Sequence, residues 1–71
     1  MTDHTRKGLR CRTNRFIRTV EGDLPRASEG TIRYEIDNLG RRLVLVDWDQ
    51  GFTVPVFPHE IELCAPNEAR L

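Results

Sequence analysis

The turn at Asp49-Gln50-Gly51 constrains this chain more than any other feature. It separates two runs rich in β-branched and aromatic residues, Arg41 to Trp48 and Phe52 to Phe57. A short hairpin loop of this kind takes a type I turn, with glycine in the left-handed position and a bulge beyond it. The turn sets the register of everything around it. Trp48 falls opposite Phe52, Val46 opposite Val54 and Val44 opposite Val56, and all of these side chains share one face. Leu43, Leu45 and Asp47 share the other face with Phe57, Pro55 and Thr53. A slip of one residue would mismatch both sets. The Val–Trp set is the expected core. Leu43, Leu45, Pro55 and Phe57 then form a candidate apolar surface on the opposite face.

The rest of the chain is short strands and turns. Residues 1–7 show no periodicity and are expected to be a flexible arm. Leu9, Cys11 and Thr13 alternate with Arg10 and Arg12, the period of a half-buried strand. Residues 21–30, EGDLPRASEG, are turn chemistry and predict a surface loop, with Leu24-Pro25 as an alternative anchor onto the core. Ile32, Tyr34 and Ile36 alternate with Thr31, Arg33 and Glu35, so the first three are expected to face one way and the second three the other. Asp37-Asn38-Leu39-Gly40 closes that strand, with Gly40 suited to positive φ. Pro55 has no N–H to give a ladder, so its strand should have a free edge or a bulge there. Pro58 to Ile61 reads as one helical turn with Pro58 first. Ile61, Leu63 and Cys64 form a closing strand that Pro66 ends. The expected domain is 8–65, with a tail at 66–71.

Length and composition bound the function. A chain of 71 residues holds one small domain and rarely a deep cleft. No apolar run approaches the ~20 residues of a membrane span. MTDHTRKGLR has no apolar core, so it does not read as a secretory signal, and a cytoplasmic protein is expected. The two cysteines, Cys11 and Cys64, are then expected as reduced thiols, with a bridge available only if the end strands pair. Net charge is zero but uneven. Residues 1–18 carry six cations against one acid (+5), and residues 19–71 carry five against ten (−5). Either the basic end pairs with the acidic remainder inside the fold, or it forms a basic face for an acidic partner.

The order of strand, long loop, strand, tight hairpins, helical turn and strand resembles an SH3-like barrel. Gly30-Thr31-Ile32 opens the second strand, Arg42 to Trp48 is the third, Phe52 to Phe57 the fourth, and Pro58 to Leu63 the terminal turn and strand. The fold class implied is all-β, a small five-stranded SH3-like barrel with one helical turn before the last strand. The layout is also similar to the small SH3-like components of electron-transfer complexes: those of photosystem I and of the photosynthetic NDH complex, and the variable chain of ferredoxin–thioredoxin reductase. Those components dock an acidic ferredoxin on basic residues, a role that the resemblance would lay on Arg10, Arg12, Arg33, Arg41 and Arg42. The aromatics that signalling SH3 domains use for proline-rich peptides are missing from the long loop.

No catalytic spacing is present. His59, Glu60 and Glu62 read as solvated residues of a surface turn. Cys11, Cys64, His4 and His59 are too scattered for a zinc site and lack a Cys-x-x-Cys pair. No enzyme activity and no cofactor are therefore expected. The leading expectation is a protein-docking or regulatory module of a larger bacterial complex, with a redox complex as one candidate. Its partner-binding residues are Leu43, Leu45, Pro55, Phe57, Trp48, Arg41 and Arg42. The alternative is a nucleic-acid-binding barrel that uses Arg10, Arg12, Arg15 and Arg18, with Phe16 as a stacking group. The zero net charge of the whole weighs against it.

Overall fold

A computed structural model describes residues 1–64. The strands in chain order are β1 (Thr2–Asp3), β2 (Arg10–Thr13), β3 (Ile17–Arg18), β4 (Asp23–Leu24), β5 (Glu29–Asn38), β6 (Arg41–Trp48), β7 (Thr53–Val56) and β8 (Ile61–Leu63). A 3-10 turn, Pro58–Glu60, precedes β8. The main sheet runs β7-β6-β5-β2-β8, and β1 also pairs with β5. All pairings are antiparallel. The chain is thus all-β. Among the described residues the ladder does not close, because β7 and β8 are its two edges. The five expected strands correspond to β2, β5, β6, β7 and β8. The other three are two-residue strands that no run of alternation announces. The tail at 66–71 lies outside the described residues.

The hairpin takes the expected register. Val44 lies opposite Val56, Leu45 opposite Pro55, Val46 opposite Val54 and Asp47 opposite Thr53. At the turn the Gly51 N–H donates to the Trp48 carbonyl at 2.9 Å, and the Trp48 N–H donates to the Phe52 carbonyl at 2.9 Å. Gly51 sits at φ 110°, a conformation open to glycine and closed to most residues. From the Trp48–Phe52 pair, alternation turns the backbone polar groups of Val54 and Val56 toward β6 and those of Thr53 and Pro55 outward. Pro55 therefore occupies a position on a free edge where no N–H is required.

The core lies on the inner face of this sheet. Val44, Val46, Trp48, Val54, Val56, Ile32, Cys11 and Leu24 are buried, with Ile17, Phe52 and Ile61 packed against them. Trp48 fits because Gly30 stands opposite it. A Cβ on Gly30 would lie 2.6 Å from a Val46 methyl and 2.7 Å from the Asp47 carbonyl. Leu24 is fully buried, so the loop after β2 is anchored on the core and carries the β3–β4 hairpin. The Thr13 hydroxyl holds the same loop, donating to the Pro25 carbonyl at 3.0 Å.

Two expectations are corrected here. The first concerns β5. Its pairing with β6 shifts at Ile32/Tyr34, leaving Arg33 as an extra residue. A bulge of this kind inverts the alternation beyond it. Tyr34 then lies opposite Leu45 and Ile36 opposite Leu43 on the outer face, while Glu35 lies opposite Val44 on the inner face. The even faces read from residues 31–36 hold only as far as Ile32. The second concerns the arm at 1–7. Thr2 and Asp3 pair with Ile36 and Glu35, and the Asp37 N–H donates to the Met1 carbonyl at 3.0 Å. The arm lacks periodicity because only two of its residues join the ladder; the ion pairs of Asp3 and Arg6, described below, add to that hold.

Candidate functional site

The bulge at Arg33 assembles an apolar surface that the hairpin alone would not make. Tyr34, Leu45 and Pro55 form one row across β5, β6 and β7, and Ile36 and Leu43 form the next. Phe57, immediately after β7, borders Leu43 along a groove. Tyr34, Ile36, Leu43 and Leu45 are half-buried, and Pro55 and Phe57 are exposed. A run of apolar side chains on the face away from the core is the ordinary mark of a contact surface. The row beyond it is polar. Thr53 donates to Asp47 at 2.5 Å, and Arg33 stands 3.7 Å from the same carboxylate. His4 lies at the β1 margin, its ring 5.8 Å from that of Tyr34.

Four of the expected partner-binding residues therefore gather: Leu43, Leu45, Pro55 and Phe57. Tyr34 and Ile36 join them and were missed, because the alternation of residues 31–36 shows no break. The other three expected residues separate. Trp48 is only 3% exposed, and its indole N–H donates to the Val54 carbonyl at 3.3 Å. It is a core residue, not a docking one, since its register position faces the valines. Arg42 is committed to carboxylates on the inner face. Arg41 is exposed and makes no ion pair with another described residue.

The inner face ends in a charge network centred on Glu35, whose side chain is 1% exposed. Arg6 grips this carboxylate with Nε at 2.7 Å and Nη2 at 2.9 Å. Arg42 adds Nε at 2.9 Å, then reaches Asp37 at 2.9 Å and Asp3 at 2.6 Å. A carboxylate at this depth survives only when paired and hydrogen-bonded. The Arg6 bonds, followed by those of Arg42, outweigh burial and hold Glu35 below its ordinary pKa. Asp3 is lowered to about 2, chiefly by its hydrogen bonds with Thr5 and then by Arg42. This network fastens the N-terminal arm to β5. The sequence signal for it is weak: an acid opposite Val44 becomes visible only once the bulge is known.

The residues of the nucleic-acid alternative are mostly engaged with acids. Arg10 holds Asp49 at 2.6 and 2.9 Å and Glu29 at 3.3 Å. Arg12 meets Glu62 at 3.3 Å, and Arg18 stands 3.8 Å from Asp23. Arg15 and Phe16 are exposed. A second hollow, about 500 Å³, is lined by Arg12, Arg26, Asn14 and Thr13, but Glu62 also lines it and opposes an anion there. The uneven charge of the sequence is thus taken up largely by internal pairing. Arg10, Arg12, Arg33, Arg41 and Arg42 do not form one basic face either. Arg10 turns to the hairpin tip, Arg42 to the inner network and Arg33 to Asp47.

The remaining polar candidates have structural duties. The Glu60 carboxylate accepts from the Phe57 N–H at 2.9 Å, and the His59 carbonyl accepts from the Asn14 side chain at 2.8 Å. The His59 ring stacks on Phe57 at 5.7 Å. Cys11 and Cys64 are free thiols, and burial pushes that of Cys11 up to about 11. Among the described residues no group of three or more His, Cys, Asp or Glu converges to hold a metal ion. No described helix is long and apolar enough to cross a membrane. Comparison with family models, curated proteins and solved structures finds no match to this chain.

Proposed function

We propose that this chain is a non-enzymatic protein-docking or regulatory module of a larger complex, with the outer face of β5, β6 and β7 as its contact surface. The observation that carries this reading is the two-row apolar surface of Tyr34, Leu45, Pro55, Ile36 and Leu43, extended by Phe57. Among the described residues the core cluster does not include that surface, and the internal ion pairs lie away from it. The sheet order, with a long loop between β2 and β5 and a 3-10 turn before β8, supports the SH3-like reading of the architecture. Small modules of that architecture in electron-transfer complexes give one class of assembly in which such a surface works.

The test is Leu45→Asp. Leu45 is half-buried on the outer face, so the charge meets solvent in the free protein and apolar surface in the complex. A partner is captured from the native host, purified and titrated against both proteins. The expected result is binding weakened at least about tenfold, roughly 1.4 kcal/mol, with an unchanged urea midpoint. Equal affinity of the two proteins rules the surface out, and an unfolded variant assigns Leu45 to the core.

A further inference from the structure

The N-terminal arm and β2 lie along the same edge of β5. Asp3 pairs with Glu35 and Arg10 with Thr31, so residues 4–9 on one side span residues 32–34 on the other. Six residues cover the length of three. The slack is folded into two turns, in which the Lys7 N–H donates to the His4 carbonyl at 3.1 Å and the Leu9 N–H to the Arg6 carbonyl at 3.1 Å. Gly8, at φ 88°, marks where the arm leaves the sheet, its N–H donating to the Ile32 carbonyl at 2.8 Å. Drawn straight, the surplus residues add about 10 Å of reach.

The arm can leave without opening the interior. The core cluster and the side chains packed on it take nothing from residues 1–8. The arm is held by the Asp37 N–H on the Met1 carbonyl, by Asp3 on Arg42 at 2.6 Å and by the two-pronged grip of Arg6 on Glu35. The His4 ring adds its contact with Tyr34. Lifting the arm leaves a carboxylate that is 1% exposed to Arg42 alone. A buried charge that loses a partner is costly, so the vacated seat calls for another guanidinium. The structure shows what fits it: an extended segment with an arginine three residues after an aspartate, as in Asp3 and Arg6. A second copy of the chain carries that pattern in the right register.

We propose that two copies of this chain exchange their N-terminal arms, each arm seating Arg6 on Glu35 and Asp3 on Arg42 of the other copy. The closed and exchanged forms make the same contacts, so the slack connection at residues 4–9 and the concentration of chain decide between them. The exchange uses the inner-face network and the edge of β5. It is independent of the outer face assigned to docking.

The test is sedimentation of the full chain at rising concentration. A short connection gives the closed arm an effective concentration of the order of millimolar, so wild-type dimer is expected near about 1 mM. Gly8→Val should bring the dimer in at a concentration at least about tenfold lower. A Cβ on Gly8 meets nothing within 4 Å, so the valine is penalised only by the positive φ of the closed turn. In a mixture of ¹³C-labelled and unlabelled Gly8→Val chains, filtered NOEs are expected between Arg6 of one chain and Glu35 of the other. Adding Arg6→Ala should dissolve the dimer, and adding Leu45→Asp should leave it. Monomer throughout, in wild type at about 1 mM and in Gly8→Val, overturns the proposal. A dimer that survives Arg6→Ala, or that lacks the inter-chain NOEs, means that the copies meet elsewhere and overturns it too. Exchange that fails while Leu45→Asp still weakens partner binding leaves the docking reading standing. Exchange that holds while partner binding ignores Leu45→Asp retires the outer face instead.

Discussion

Both ends of the sheet carry an arginine held among carboxylates, yet the two clusters do different work. At the hairpin tip Arg10 reaches Asp49 and Glu29, and all three side chains are more than 40% exposed. At the other end Arg6 and Arg42 close on a Glu35 that solvent scarcely reaches. The geometry of the contacts is similar and the surroundings are not. An exposed ion pair gains little over hydrated charges. A carboxylate buried beside Val44 has no water to fall back on, so its partners are obligatory. The tip end is organised by packing, with Trp48 set over Gly30. The arm end is organised by charge, with the chain terminus tied to the sheet through Glu35.

Five measurements can break or sharpen this contrast. Glu35→Ala should cost about 3 kcal/mol in urea unfolding, at the low end for breaking a buried pair because both arginines can turn to water. The amides of residues 2–8 should lose their hydrogen-exchange protection at the same time. A mild loss with the arm still protected would show that β1 holds without the network. Gly30→Ala should cost about 1–3 kcal/mol, because the new methyl meets the Asp47 backbone, which cannot step aside.

Leu39→Asn should raise stability by about 1 kcal/mol. Leu39 is 96% exposed at φ 52°, beside Gly40 at φ 78°. Positive φ at both central residues is the two-residue hairpin turn that favours Asn-Gly, and leucine is strained in the left-handed region there. A neutral result would mean that the leucine carries no such strain.

The smallest effect belongs to Asp49→Asn, which should leave the urea midpoint at neutral pH essentially unchanged. The two clusters should also differ in acid. Glu35 and Asp49 both have lowered folded-state pKa values, through Arg6 and then Arg42 for Glu35 and through Arg10 for Asp49. A carboxyl of this kind contributes stability above its unfolded value, and loses the contribution as pH falls through the folded value. Wild-type stability should therefore be level above the ordinary glutamate value of 4.5 and fall below it, with Asp3 contributing down to about 2. Glu35→Gln should flatten that acid limb clearly and Asp49→Asn hardly at all. Equal flattening would mean that burial does not separate the clusters.

The legible parts of this fold are those governed by local chemistry. Gly51 and the alternation on both sides of it determine the hairpin, its register and most of the core. Pro55 announces a free edge by what it lacks. Leu43, Leu45, Pro55 and Phe57 were readable as a surface for the same reason. The illegible parts depend on an event with no local signature. Residues 31–36 alternate without a fault, and only the pairing with β6 shows that Arg33 is surplus. Tyr34 and Ile36 were hidden by it, as was the inward Glu35. The arm was hidden because ion pairs across distant sequence leave no period. Trp48 reads from the sequence both as core and as a docking candidate, because a large aromatic at a hairpin tip suits a plug and an anchor alike; the space over Gly30 decides for the core.

Arg33 makes the apolar outer face a matter of phase. Counted from Ile32, an uninterrupted strand would send Tyr34 and Ile36 inward to join the hydrophobic interior and leave Glu35 in water. One additional residue reverses that allotment, so a single stretch of even alternation furnishes interior on one side of it and apolar exterior on the other. The loss of one codon at this point would therefore turn Tyr34 and Ile36 inward and Glu35 outward, and confine the apolar exterior to β6 and β7 without altering any side chain on those strands.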